Sequence, residues 1–140
     1  DKLIVVATAG WHTNMLRERY RLFDNIVIED FIPFKEIMPF ADVFISNGGY
    51  GGVMQSITNK LPMVVAGVHE GKNEICARVG YFKLGINLRT ERPGPEKIKR
   101  AVQEVLDNPV YQKNVEKLSA EFTRYNPYRL CEQFINELPV

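Results

Sequence analysis

Residues 62–67 read Pro-Met-Val-Val-Ala-Gly, four apolar residues in a row closed off by a proline and a glycine. A run with no polar position offers no face to solvent, so it fits a strand covered on both sides, and such strands belong to parallel sheets. The run from Leu3 to Ala9, broken only by Thr8 and ending at Gly10, is of the same kind, and Asp42 to Ser46, Ile26–Ile28 and Gly85–Leu88 read as further strands. Segments of helical period lie between them. The chain is therefore expected to be α/β, a doubly wound parallel sheet with helices on both faces. In such sheets ligands bind beyond the carboxyl ends of the strands, so the loops at residues 10–13, 30–34, 46–52 and 67–73 are expected to share one edge.

The helical segments follow from spacing. Met15, Leu16, Arg19, Leu22 and Phe23 set a stripe from Asn14 to about Phe23, stopped by Asp24-Asn25. Lys35 to Phe40 is a short helix at most. Val53, Met54, Ile57 and Leu61 form an apolar face on a helix that ends near Asn59 and Pro62. A helix from Glu74 to about Tyr81 follows the polar loop His69 to Asn73. Pro95 and Pro109 stand at first helical positions, where a residue without an N–H is tolerated. Asn126-Pro127 opens a terminal helix carrying Leu130, Phe134, Ile135 and Leu138.

Composition bounds the function. A chain of 140 residues, 45% hydrophobic and 25% charged, has the size and make-up of one globular domain with a core. Its 18 basic and 17 acidic side chains leave a formal charge of +1, so no overall field favours nucleic acid, and any anion site must be local. The longest apolar run is too short to cross a bilayer, and no basic-then-apolar leader precedes a small-residue cleavage site. A cytoplasmic location without a transmembrane segment is expected, with Cys76 and Cys131 as free thiols, because neither sits in a redox or zinc spacing. The chain passes from Asp1-Lys2 straight into a strand, which fits a piece of a longer polypeptide.

The chemistry concentrates at Asn47-Gly48-Gly49-Tyr50-Gly51-Gly52, where four glycines join a strand to a helix. Such a loop lets backbone approach a phosphate closely, and the first free amides of the helix face the anion. Spacing alone matches neither G-x-G-x-x-G nor the Walker pattern, so a plain tight turn stays open. Gln55, one turn into the helix, is placed to meet ribose hydroxyls or simply to face solvent. Phe31, at the end of a strand, either stacks on a base or packs in the core. Glu70 either accepts from sugar hydroxyls or is an exposed loop carboxylate. His12 and His69 lack an orienting carboxylate at a telling spacing, Lys72 reads as a solvent-facing loop residue, and neither a nucleophile arrangement nor a metal-binding carboxylate cluster is legible.

The stretch from Phe31 to about Leu88 resembles the C-terminal signature of the UDP-glycosyltransferase (family 1) group. That signature has an aromatic-x-Pro segment, a His-Gly-Gly-x-Gly-Thr-x-x-Glu-Ala loop and helix, a Gly-x-Pro strand and an Asp-Gln loop. Phe31-Ile32-Pro33 stands at the first element, Asn47 to Ser56 at the second, Lys60-Leu61-Pro62-Met63-Val64-Val65 at the third and Glu70-Gly71-Lys72-Asn73 at the fourth. The helices after Pro95 and Pro109 also resemble the family's tail.

The resemblance implies the C-terminal half of a GT-B fold, with one strand of that half preceding residue 3 and so missing here. Residues 1–140 would form the donor-binding domain of a hexosyltransferase that uses a UDP-sugar and acts on an acceptor hydroxyl. Phe31 would stack on uracil and the Ile32 backbone would bond its edge, while Asn47, Gly48, Gly49, Tyr50, Gly51 and Gly52 would hold the diphosphate. Gln55 would meet the ribose, and Glu70 and Gly71 the sugar. No catalytic residue, metal or cofactor is expected in this part, because the base and acceptor pocket belong to an N-terminal domain of the same chain. The departures are Asn47 for His, Gly52 for Thr, Gln55 for Glu, and Glu70-Gly71 or Gly71-Lys72 for Asp-Gln. A separate donor-binding subunit and a non-catalytic nucleotide-binding module are the alternatives. A flavodoxin-like or phosphatase-type domain would leave the aromatic-x-Pro element without a role.

Overall fold

The computed structural model describes residues 3–138, and the chain falls into two units, Asp1–Ile37 and Met38–Val140, each taken by itself. The first contains β1 (Val5–Thr8), a 3-10 turn (Gly10–His12), α1 (Thr13–Tyr20), β2 (Ile26–Glu29) and α2 (Phe34–Ile37). β1 and β2 pair in parallel with Val5 opposite Ile26. Arg17 ties α1 to β2: its Nε donates to the Ile28 carbonyl at 2.7 Å, and its guanidinium pairs with Glu29.

Two expectations fail in this unit. The stripe expected on Met15, Leu22 and Phe23 is exposed, and the helix stops at Tyr20. Thr13 donates its hydroxyl to the Gly10 carbonyl at 2.7 Å and is buried, so the covered face follows Thr13, Leu16 and Tyr20 at helical spacing. Past Tyr20 the chain turns, with the Phe23 amide bonded to the Tyr20 carbonyl. The run expected to be covered on both faces leaves Val5 46% and Val6 42% exposed. A two-stranded sheet with helix on one side has too little material to cover both faces.

The second unit begins with a 3-10 turn (Met38–Phe40) and continues through β3 (Phe44–Ser46), α3 (Tyr50–Thr58), β4 (Met63–Val65), α4 (Lys72–Tyr81) and β5 (Gly85–Asn87). It closes with α5 (Pro95–Asp107), α6 (Pro109–Phe122) and α7 (Pro127–Asn136). The sheet runs β3-β4-β5, all parallel, with Phe44 opposite Met63 and Met63 opposite Gly85. β4 is fully buried, and its side chains alternate as a strand requires. Met63 and Val65 pack with Val53, Ile57, Cys76 and Val115, whereas Val64 packs with Leu88, Ala101, Val102 and Val105. Helices thus cover both faces of this sheet.

The connections are closed by caps. α3 ends before Leu61, which the stripe had placed on the helix; Lys60 turns at a positive φ of 57°, and the Leu61 amide returns to the Ser56 carbonyl at 2.9 Å, which seats Leu61 in the core. Asn108 caps α6 by accepting from the Val110 amide at 3.2 Å. Further along α6, Asn114 donates to the carbonyls of Phe82, the residue that caps α4, and of Lys83, which follows it. α7 leaves Phe134 and Ile135 exposed, and Leu138 beyond its end is exposed as well.

The fold is α/β as expected, but among the described residues its strands form two sheets rather than one, β1 with β2 and β3 with β4 and β5.

Candidate functional site

β3 and β4 are adjacent and parallel, so the loops after them, residues 47–49 and 66–71, leave the same edge of the sheet. They also touch. A Cβ on Gly67 would lie 2.2 Å from the Asn47 carbonyl oxygen, and one on Gly48 would lie 2.1 Å from the Cys76 Sγ of α4. Gly48 has a φ of +74° as well, so both its conformation and its neighbour require glycine. Burial pushes the Cys76 thiol up from its ordinary range.

Ser46 and Asn47 shape the turn. The Ser46 hydroxyl accepts from the Gly48 amide at 3.2 Å and the Asn47 Oδ1 from the Gly49 amide at 3.1 Å. Asn47 is itself exposed. Gly49 then opens α3 with an extended backbone and no side-chain cap, and the first amide to find a helical acceptor is that of Val53, on the Gly49 carbonyl. The amides of Tyr50, Gly51 and Gly52 therefore form the open positive end of the helix. Gly51 differs from Gly48: nothing lies within 4 Å of where its Cβ would be, so nothing in the chain itself demands a glycine there. Gly52 is intermediate, its Cβ position 3.4 Å from the Phe44 ring.

Gln55 is half-buried rather than solvated, and its Oε1 is shielded with no hydrogen-bond partner among the described residues. A shielded acceptor without a donor costs free energy. Glu70 is an exposed carboxylate, held below its ordinary pKa by the hydrogen bond and charge of Lys72. Its φ is +56°, and Gly71 follows at +78° as the residue preceding α4. Lys72, expected to face solvent, packs its stem at Gly67 and pairs with Glu70.

Phe31 and Ile32 belong to the first unit. β2 ends at Glu29, so Phe31 lies two residues past the strand rather than at its end, and it is 78% exposed, which sets aside core packing. Ile32 is half-buried. The structure thus brings Asn47–Gly52, Gln55 and the loop of Glu70-Gly71 together within the second unit, and Phe31-Ile32 follows the carboxyl end of a strand in the first.

One residue escaped the sequence. Glu91, in the connection between β5 and α5, accepts from the amides of Val68 and His69 through a single oxygen, at 2.6 and 2.9 Å. Those two bonds hold its carboxyl below the usual carboxylate range. No local pattern marks it, because its partners lie 22 and 23 residues earlier. Among the described residues no three His, Cys, Asp or Glu side chains gather in one place, and no helix is long and apolar enough to cross a membrane.

A family model described as erythromycin biosynthesis protein CIII-like, C-terminal domain, matches residues 1–135. The chain belongs to this family. It is 37% identical over 121 residues to UDP-glucosyltransferase 1 of Beauveria bassiana (strain ARSEF 2860), covering 86% of this chain and 26% of that protein. It is 35% identical over 122 residues to 4'-demethylrebeccamycin synthase of Lentzea aerocolonigenes, covering 87% of this chain and 28% of that protein. The chain therefore spans about a quarter of the length of these relatives. Among solved structures, the glycotransferase of kitacinnamycin superposes with a TM-score of 0.85 at 23% identity, over 97% of this chain and 35% of that one. The glycosyltransferase VinC in complex with DTDP superposes at 0.78 and 18% identity, over 86% of this chain and 30% of that one. At those identities the superpositions carry the fold, and the fold is that of glycosyltransferase C-terminal halves.

Proposed function

We propose that this chain is the donor-binding domain of a longer glycosyltransferase that moves a hexose from a UDP-sugar to an acceptor hydroxyl. The observation that carries the reading is the open end of α3. Three amides without helical acceptors follow a glycine loop, and at Gly51 the backbone is bare although the chain leaves room for a side chain. A diphosphate accepts from such amides, and the positive end of the helix stabilises its charge. Gln55 supplies the shielded acceptor that a ribose hydroxyl would satisfy and Glu70-Gly71 meets the sugar; in the first unit, taken by itself, Phe31 presents an exposed ring on which a base can stack, with the Ile32 backbone to bond the edge of that base.

The reaction is a single displacement. The acceptor oxygen attacks the anomeric carbon from the face opposite the diphosphate, the bond from that carbon to the phosphate oxygen breaks, and the configuration inverts. The N-terminal amides of α3 stabilise charge on the departing UDP. The N-terminal domain supplies the base and the acceptor pocket, and the reaction draws on no metal or cofactor from this part of the chain. A buried and an exposed free thiol fit a reducing, cytoplasmic setting.

Full-length protein incubated with a panel of UDP-sugars and a nucleophilic acceptor tests the reading. Transfer or slow donor hydrolysis with at least one sugar is expected. UDP binding without either would leave a non-catalytic nucleotide module, and binding of no nucleotide would overturn the proposal altogether.

A further inference from the structure

The loop from Gly67 to Gly71 is anchored at both ends, and in its middle the Glu70 side chain pairs with Lys72 of α4. Gly67 is wedged against the Asn47 carbonyl, and the Lys72 amide closes the start of α4 on the His69 carbonyl at 3.0 Å. Between these anchors the chain makes two left-handed turns, one of them at a non-glycine residue, Glu70. That conformation is costly for a side-chain-bearing residue and persists only where the surroundings fix it. The backbone leading into it is fixed by Glu91, whose single oxygen receives the Val68 and His69 amides.

We propose that Glu91 is a positioning residue for donor recognition: by clamping Val68 and His69 it holds Glu70 and Gly71 where they meet the sugar of the bound nucleotide sugar. The inference rests on the donor-binding reading and adds to it a residue from a different connection, one that touches neither sugar nor nucleotide. It acts on the sugar end of the ligand and not on the diphosphate, because Asn47–Gly52 is shaped by Ser46, Asn47 and Cys76 without it. The depressed carboxyl pKa of Glu91 agrees with two amide bonds to a charged acceptor.

The test uses the full-length protein, with UDP-glucose and UDP as separate probes titrated calorimetrically against wild type, Glu91→Ala and Glu91→Gln. Glu91→Ala is expected to weaken UDP-glucose by about tenfold, the scale of a lost charge-assisted hydrogen bond, and to leave UDP within about twofold. Glu91→Gln keeps an acceptor oxygen at the same reach and is expected to restore most of the loss. Deuterium uptake at Val68 and His69 should rise in Glu91→Ala and stay near wild type in Glu91→Gln. If Glu91→Ala does not fold, Glu91→Asp, which keeps the charge and shortens the reach, replaces it with the same expectation. Equal loss of both ligands, no loss of either, or failure of Glu91→Gln to rescue overturns the positioning role while the donor-binding reading survives. Wild type that binds neither probe removes that reading, and the inference with it.

Discussion

β1 and β4 are alike in sequence and opposite in fate. Val-Val-Ala-Thr and Met-Val-Val are both short, apolar and β-branched, yet β4 has no exposed residue while Val5 and Val6 of β1 stand open. β4 has a strand on each side, with α3, α4 and α6 lining one face and α5 the other. Among the described residues β1 pairs with β2 alone. An all-apolar run therefore states what a strand needs, not what it obtains, and burial comes from the number of neighbours the chain supplies.

Truncation should expose this contrast most strongly. Met63→Ala is expected to destabilise the chain by about 2–5 kcal/mol, since it opens a cavity among close-packed neighbours. Val6→Ala, at an exposed position, should change stability by less than about 0.5 kcal/mol. Urea unfolding of both variants measures the difference, and comparable losses would mean that β1 is covered in solution.

The glycine loop carries a second pair of opposites. Gly48→Ala places a methyl on the Cys76 sulfur in a left-handed backbone, and is expected to cost about 2–4 kcal/mol from overpacking and strain combined. Gly51→Ala adds a methyl in open space on a helix and should leave stability unchanged or raised by up to about 1 kcal/mol. It should nevertheless weaken UDP binding by the full-length protein, because the methyl enters the space proposed for the diphosphate. A Gly51→Ala protein that binds UDP as wild type does would detach that glycine from the ligand.

Caps give a smaller contrast. Asn108 opens α6, whose Val115 is fully buried, and Asn126 opens α7, which has no buried residue. Both side chains accept from an amide of the helix they begin. Asn108→Ala is expected to cost about 1 kcal/mol and Asn126→Ala to be nearly silent in global unfolding, appearing only as faster amide exchange along α7.

How much of this was legible follows the same division. The second unit could be read because its signals are local: Pro62 and Gly67 bracket β4, Asn108-Pro109 starts α6, and the glycine cluster joins β3 to α3, although the helix starts at Tyr50 and takes Gly51 and Gly52 into its first turn. The α1 stripe was misread because Leu22 and Phe23 are apolar without being buried, and hydrophobicity alone does not choose the covered face when Thr13 fixes the rotation of the helix. The division into two sheets was not readable, because the composition of β1 and β3 does not say which strand each one pairs with. Glu91 was invisible, since a loop carboxylate whose partners lie more than twenty residues away leaves no periodic trace.

The smallest expected effect separates two carboxylates that the sequence could not tell apart. Glu70 is held below its ordinary pKa mainly by Lys72, and Glu91 mainly by the Val68 and His69 amides. For both, the stabilisation is complete above the ordinary carboxylate range and is lost as pH falls through the depressed folded value. Salt distinguishes them, because an exposed ion pair is screened and a short hydrogen bond to backbone is not. Site-resolved titration of the two carboxyls is therefore expected to move Glu70 back toward its ordinary value in high salt and to leave Glu91 nearly where it was. Equal movement would mean that Glu91 is held by the charges of Lys72 and His69 rather than by the amides, and the loop would then have no clamp distinct from its own ion pair.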